Sequence, residues 1–360
     1  MIHNHPLDFS KAQNTITIYY GGFLSRAGGA FNHVRAIEGE LRKIGWNVVV
    51  VTLDSLPIWC RYVPHFVEKL LNSVNMPLGF VYKGHIIKIL YKLFFDEKVD
   101  IRIFEDIYFA WDSEIPSITI LHAVWSDNLQ SFSVSPTQQN RLKGYEARII
   151  NSINHPVATV SYPYLKYLKE EHFAGCLSKK IDVVELGIDQ SNFLKIRKQN
   201  RKSIVYSGAL EARKNILFLL KVFKKLNETD PDYKLTIIGD GPDRKELADF
   251  VKINGLAVDF LGKLSHDKVV SELHSHGIYL HTSVKESFSY SLLEAKLAGL
   301  KTCAHEKLQV PSEFIDVAIS TFNVDEWCNG ILNIDWTPGR FNADNYSVEK
   351  MTLLTLKLAG

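Results

Sequence analysis

No apolar run in these 360 residues approaches the roughly 20 that a membrane-spanning helix needs. Cysteine is scarce: Cys60, Cys176, Cys303 and Cys328 are scattered, with no CxxC or Cys/His ligand spacing. That fits buried thiols in a reducing compartment better than a disulfide scaffold. An excess of either charge is also missing. Lys and Arg number 42 against 40 Asp and Glu, which argues against a dedicated nucleic-acid binder. The polar start MIHNHPLDFSKAQN lacks the apolar centre of a signal peptide. Internal repeats and low-complexity stretches are absent too. These absences lead to the expectation of a soluble, cytoplasmic protein.

What is present is ordinary globular material in quantity. A hydrophobic content of 46% over this length suffices for two cores. Thr15–Tyr20 is a β-branched and aromatic run, followed by the glycine loop GGFLSRAGGA. Phe31, Val34, Ile37, Leu41 and Ile44 then recur at helical spacing, Gly45 ends that helix, and WNVVVVT reads as a buried strand. Strand, glycine loop, helix, strand opens a Rossmann-like unit. The pattern resumes at IRIFED, SITILH and VATVS.

The second half alternates more regularly. Strands at SIVYS, KLTIIG, VDFLG, IYLHTS and KTCAH interleave with helices near 215–227, 242–254, 266–276 and 289–298. Such alternation predicts a second doubly wound parallel sheet. The predicted organisation is therefore α/β, with Rossmann-like domains over 1–190 and 201–340 facing across a cleft. A final helix over 343–360 is expected to pack back on the first domain. In such an arrangement ligands sit at the carboxyl ends of the strands.

Two carboxylates, Glu286 and Glu294, bracket the start of a predicted helix in HTSVKESFSYSLLEAKLAG. Free backbone N–H groups and the positive dipole end favour phosphate there, while carboxylates accept hydrogen bonds from hydroxyls. Phosphate on amides and hydroxyls on carboxylates suit a nucleotide-sugar. The bland alternative is a helix-start charge at Glu286 and a solvated face at Glu294.

Around that pair the chain resembles the retaining GT-B glycosyltransferases of family 4. The resemblance is carried by YSGALEARKN, LTIIGDGPDRKEL, VDFLGKLS and ESFSYSLLEAKLAG, with looser marks in the GG…GGA loop, HAVWSD and ELGID. It implies transfer of a sugar from a nucleotide diphosphate donor with retained anomeric configuration and no metal or other cofactor. By the same resemblance, Glu286 meets the donor sugar's hydroxyls and Glu294 the ribose diol. The amides of Ser287, Phe288, Ser289 and Tyr290 face the diphosphate or sugar; the family usually has glycine where Ser289 stands. Lys214 matches a lysine for the pyrophosphate. The family's arginine after the strand glycine, Gly208, is replaced by Ala209, leaving Arg213 as its substitute or a surface charge. Gly29 matches a ligand-facing glycine, His122 a histidine near the reacting centre, and Leu264 a position whose backbone meets the base.

Other features are weaker. The loop with Gly21, Gly22, Gly28 and Gly29 spells neither a Walker A motif nor GxGxxG, and a flexible turn explains it equally. That absence disfavours a dinucleotide oxidoreductase. Asp230-Pro-Asp232 imitates a DxD metal motif but reads as a turn, so no metal is expected. In 58–95, Ile86, Ile87, Leu90, Leu93 and Phe94 form one apolar face with Lys88 and Lys92 elsewhere. This segment reads either as a core-facing helix or as a peripheral contact with the inner face of an anionic membrane. The expected partners are a nucleotide-sugar donor and a glycan or lipid-linked acceptor, with bacterial surface polysaccharide or lipopolysaccharide assembly as the setting. The alternatives are a nucleotide-sugar epimerase and an inactive nucleotide-sugar-binding partner subunit.

Overall fold

The structure, a computed structural model, describes residues 14–24, 29–73, 79–128, 135–193, 200–337, 339 and 341–360. Gly28 of the glycine loop lies outside the described residues. The chain divides into two compact units, Met1–Ile188 together with Asn345–Gly360, and Asp189–Asp344.

In the first unit, β1 (Thr15–Tyr19), β2 (Asn47–Val51), β3 (Ile101–Phe104), β4 (Ser117–Leu121), β5 (Val157–Thr159) and β6 (Ile181–Val183) form a wholly parallel sheet. Its order is β2-β1-β3-β4-β5-β6 among the described residues. Runs such as TITIY and SITIL are buried on successive residues because helices cover both faces. The chain first winds from β1 to β2 and then turns back to β3, so the topological switch lies between β1 and β3.

Helix α1 (Gly29–Lys43) follows β1 and buries Phe31, Val34, Ile37 and Leu41, the stripe expected from their spacing. Gly45 stops it at φ +96°, where bonds from Gly45 N to the Arg42 carbonyl and from Trp46 N to the Leu41 carbonyl satisfy the last turn. Ile44 falls beyond the helix and is exposed. Helices α2 (Val63–Ser73) and α3 (Gly79–Phe95) pack on each other before β3. The face predicted for α3 needs correction: Ile87 is buried, but Leu93 is 70% exposed. The buried row is Val81, Ile87 and Tyr91.

Short α4 (Trp125–Asn128) leads towards α5 (Pro136–Ser152), which Ser135 and Gln138 open with a reciprocal capping box. Helix α6 (Tyr162–Tyr167) follows β5 and is capped by Ser161. Of the cysteines expected to be buried, Cys60, Cys303 and Cys328 are, whereas Cys176 is exposed in a turn before β6.

In the second unit, β7 (Asn200–Ser207), β8 (Lys234–Ile238), β9 (Val258–Gly262), β10 (His276–His281), β11 (Lys301–His305) and β12 (Val317–Ile319) are again parallel, in the order β12-β11-β10-β7-β8-β9. Helices α7 (Ile216–Thr229), α8 (Arg244–Ile253), α9 (His266–Leu273) and α10 (Tyr290–Leu297) lie between successive strands, and α11 (Val324–Leu332) follows β12. Numbered within the unit this is the 3-2-1-4-5-6 order of nucleotide-binding sheets, with its switch between β7 and β10. His276, predicted at a helix end, begins β10 instead; α9 stops at Leu273.

Core burial holds this unit's helices down. Helix α7 buries Ile216, Leu219, Phe223 and Leu226, and Trp327 of α11 is fully covered with its indole N–H donating to the Thr321 carbonyl at 2.8 Å. Replacing such a side chain by alanine costs about 3–5 kcal/mol. At the β7 and β8 exits the backbones nearly touch. A Cβ on Gly239 would lie 1.8 Å from the Gly208 carbonyl oxygen, so glycine is required by close approach. Finally, α12 (Val348–Ala359) returns to the first unit, where it contacts α1, β3 and β4.

Candidate active site

The switch point of the second sheet assembles a charged cluster. Lys214 ends a short turn, Ala212–Lys214, that follows β7. Two bonds tie this turn to the loop leaving β10: Val284 N donates to the Arg213 carbonyl at 3.1 Å and Thr282 Oγ1 to the Lys214 carbonyl at 3.0 Å. Lys214 Nζ thereby reaches Glu286 Oε1 at 2.5 Å, with both side chains about nine-tenths buried. Arg213 Nη1 is 4.0 Å from the same oxygen, while its Nε binds Glu211 at 2.6 Å. Arg213 and Lys214 thus face equal carboxylate charge from Glu211 and Glu286.

His281 closes the cluster, with Nε2 3.4 Å from Glu286 Oε1. Burial alone would raise the Glu286 carboxyl, but Lys214, His281 and Arg213 hold it well below the usual range. Burial lowers the pKa of His281 against the opposing pull of the Glu286 carboxylate and so favours neutral imidazole. Sequence reasoning missed His281; its signal was a histidine at the exit of a strand beside the switch.

Helix α10 begins next to this cluster. Ser289 adopts φ +69°, a conformation that favours glycine, and its Oγ accepts from Leu292 N at 3.4 Å. The serine therefore exchanges backbone comfort for a helix cap. Ser287 is half-buried, whereas the Phe288 ring is buried against Phe314 and Tyr290, so only its backbone can meet a ligand. Glu294, one turn into α10, has Oε1 3.1 Å from His266 Nε2. That hydrogen bond is the main reason the His266 pKa is raised. His266, not predicted, lies two residues after half-buried Leu264. Asp230 and Asp232 both bind Lys202, at 2.8 and 3.0 Å, in the turn expected for them.

The first unit has its own cluster at its switch point. Glu105 follows β3, His122 follows β4, and His33 lies one turn into α1. Glu105 Oε2 is 2.8 Å from His33 Nδ1 and 2.7 Å from His122 Nε2. Burial pushes the Glu105 carboxyl up, but His33 and His122 outweigh it and bring it to about 2. Burial lowers the pKa of His122 against the opposing pull of Glu105. The three ligand atoms lie close enough together to invite a cation. Their spacing is nevertheless that of hydrogen bonds, shorter than the roughly 3.3 Å between ligands of a tetrahedral ion. Glu105 and His33 were not predicted, although an acid directly after IRIF was readable.

Gly29 is the exposed first residue of α1. A separate open recess of about 360 Å³ in this unit is lined by residues including Phe31, Arg35, Glu38 and Asp54. None of the predicted site residues lines it.

Comparison with known proteins bears on the second unit most directly. Residues 189–325 match the family described as "Glycosyl transferases group 1". The chain is 30% identical over 109 residues to 2-deoxystreptamine N-acetyl-D-glucosaminyltransferase of Niallia circulans, covering 30% of this chain and 28% of that protein. It is 26% identical over 159 residues to the UDP-N-acetylglucosamine–peptide N-acetylglucosaminyltransferase GtfA subunit of Streptococcus parasanguinis, covering 43% and 31%. The chain thus spans about a third or less of the length of these relatives. The pneumococcal O-GlcNAc transferase GtfA, solved with UDP and GlcNAc, superposes with a TM-score of 0.59 at 13% identity over 97% of this chain and 96% of that one. Two Rossmann-like units of parallel strands, the second carrying the glycosyl transferases group 1 region, give this chain the GT-B glycosyltransferase fold.

Proposed function

We propose that the protein is a retaining, metal-independent glycosyltransferase of family 4 that moves a sugar from a nucleotide diphosphate donor to a glycan or lipid-linked acceptor. One observation carries the reading: Lys214, Glu286 and His281 converge beside the start of α10, at the switch point of a 3-2-1-4-5-6 sheet. In this reading Glu286 accepts hydrogen bonds from the donor sugar and Glu294 from the ribose. Lys214, Arg213 and the amides of 287–290 receive the diphosphate. As the diphosphate leaves, negative charge builds on its oxygens, and these groups stabilise it. A donor phosphate oxygen takes the acceptor proton, so no protein base is needed. His122 and Gly29 are assigned to positioning the acceptor side, and Leu264 to the base.

The relatives support a nucleotide-sugar of the UDP-N-acetylglucosamine type as the first donor to test. GlcNAc transfer is named for both curated relatives, and UDP is bound in the pneumococcal structure. Bacterial surface polysaccharide assembly is the setting proposed from the same resemblance. The test is a thermal-shift screen of nucleoside diphosphates and their sugars, followed by turnover with acceptor present and absent. A tight ligand raises Tm by mass action. Absence of any shift with all nucleoside diphosphates would sink the reading, and donor consumption without acceptor would favour an epimerase. The balanced charges of Arg213 and Lys214, with Ala209 in place of the family arginine, favour a second reading. In it the chain is a donor-binding partner subunit that gives a thermal shift but no turnover.

A further inference from the structure

Helix α3 is apolar on two faces, and only one of them is covered. Val81, Ile87 and Tyr91 are buried in the first unit's core, while Tyr82, Ile89 and Leu93, spaced by seven and four, stand on the opposite side with Ile89 at 63% and Leu93 at 70% exposure. Beside it, Tyr62 just ahead of α2 and Phe66 and Leu70 on it recur every fourth residue and are exposed as well. The two helices form an antiparallel hairpin. Lys83 near the start of α3 pairs with Glu68 at 2.9 Å, and the Trp59 ring, just ahead of α2, meets Phe94 at the end of α3 with centroids 6.1 Å apart. The two outward stripes therefore lie side by side. Nine of the nineteen exposed large hydrophobics among the described residues fall between Ile58 and Leu93. That concentration marks a contact surface rather than scattered surface apolarity.

Charge says which contact. Within 58–95 the only carboxylate is Glu68, which Lys83 neutralises, whereas Lys69 and Lys92 are exposed and Lys88 is half-buried. Protein–protein interfaces are depleted in lysine. An anionic bilayer surface instead accepts lysine ammonium groups at its phosphates, Trp and Tyr rings at headgroup depth and aliphatic tips below them. We propose that the outer face of the α2–α3 hairpin docks the protein in the interfacial zone of an anionic membrane, with Trp59, Phe66, Ile89 and Leu93 inserted and Lys69 and Lys92 on lipid phosphates. No helix among the described residues is long and apolar enough to cross a membrane, so this contact lies in the interface plane.

The inference does not depend on sugar transfer, because binding is read without any donor. The purified full chain is sedimented with vesicles of phosphatidylcholine containing phosphatidylglycerol, and with phosphatidylcholine alone. Binding to the anionic vesicles, weakened by salt, is expected. Trp59→Ser with Phe66→Ser lowers it about tenfold or more, since each buried CH₂ contributes to anchoring. Lys69→Glu with Lys92→Glu lowers it on anionic vesicles with little change on neutral ones. Ile253→Ser, an equally exposed position in the second unit, leaves it unchanged, and unaltered melting curves confirm that the variants fold. Three outcomes overturn the proposal: no binding to anionic vesicles, binding insensitive to Trp59→Ser with Phe66→Ser, or a dimer in solution that this double variant dissolves. The last would assign the face to a second copy.

Discussion

Lys214 and Glu286, 72 residues apart in sequence, form a nearly buried ion pair at 2.5 Å. Neither group is free to act alone. In the proposed reaction an entering diphosphate takes the lysine from the carboxylate, and the sugar hydroxyls replace the lysine on Glu286. Lys214→Ala and Glu286→Ala are each expected to lower turnover at saturating donor by about 10²–10³. Steady-state kinetics with excess donor provide the check, and wild-type turnover in both variants removes these residues from the proposed machinery.

Glu105 is a buried anion held by two imidazoles, so removing it exposes a different cost from removing a surface charge. Glu105→Ala leaves His33 and His122 without their acceptor and is expected to destabilise the first unit by about 3 kcal/mol. Lys202→Ala, which breaks two solvent-exposed contacts to Asp230 and Asp232, is expected to change nothing measurable. Urea unfolding of the two variants side by side decides the contrast; equal effects would contradict it.

The first unit also buries an acid under the opposite influence. Glu146 is fully covered, accepts from Ser126 N at 3.0 Å and from the Tyr108 hydroxyl, and is pushed by burial from 4.5 to about 7. Its folded pKa exceeds the unfolded one. The stability it contributes is therefore full below about pH 4.5 and is lost as pH rises through 7. Glu146→Gln mimics the protonated form, so by pH 8 the variant should exceed the wild type by on the order of 3 kcal/mol relative to their difference at pH 4.5. Tm measured from pH 4.5 to 8 should diverge between them; parallel curves refute the assignment. Asp106, also pushed by burial to about 7, adds a slope of the same sign in both proteins.

Ser289 combines an unfavourable φ with a useful cap. Ser289→Gly removes the strain and sacrifices only a few tenths of a kcal/mol of capping, for a net gain of up to about 1 kcal/mol. Ser289→Ala keeps the strain and loses the cap, costing about 1 kcal/mol. Differential scanning calorimetry should rank glycine above serine above alanine. Any other order points to a different role for the hydroxyl.

The longer strands were legible because burial on both faces favours runs of aliphatic and β-branched residues, as in SITIL and KLTII. IDV and VAI, which form β6 and β12, were not recognised. Three residues carry no periodicity, and only pairing with β5 and β11 makes them strands. Leu93 misled because helical spacing identifies residues that share a face, not which face meets the core. In α3, apolar on both sides, that choice was open until Tyr91 and Ile87 were seen packed inward.

By itself the sequence determined the alternation of strand and helix, hence two parallel doubly wound sheets, since local hydrophobic period and glycine punctuation act over a few residues at a time. It also located carboxylates and cations on the loops leaving β7 and β10. Only the tertiary structure decided that Lys214 reaches Glu286, that His281 stands behind them, and that Glu105 gathers His33 and His122. Except for His281, which is close to Glu286 in sequence, those meetings join segments that only sheet order brings together, and sheet order is a property of long-range strand pairing that no short window of sequence contains.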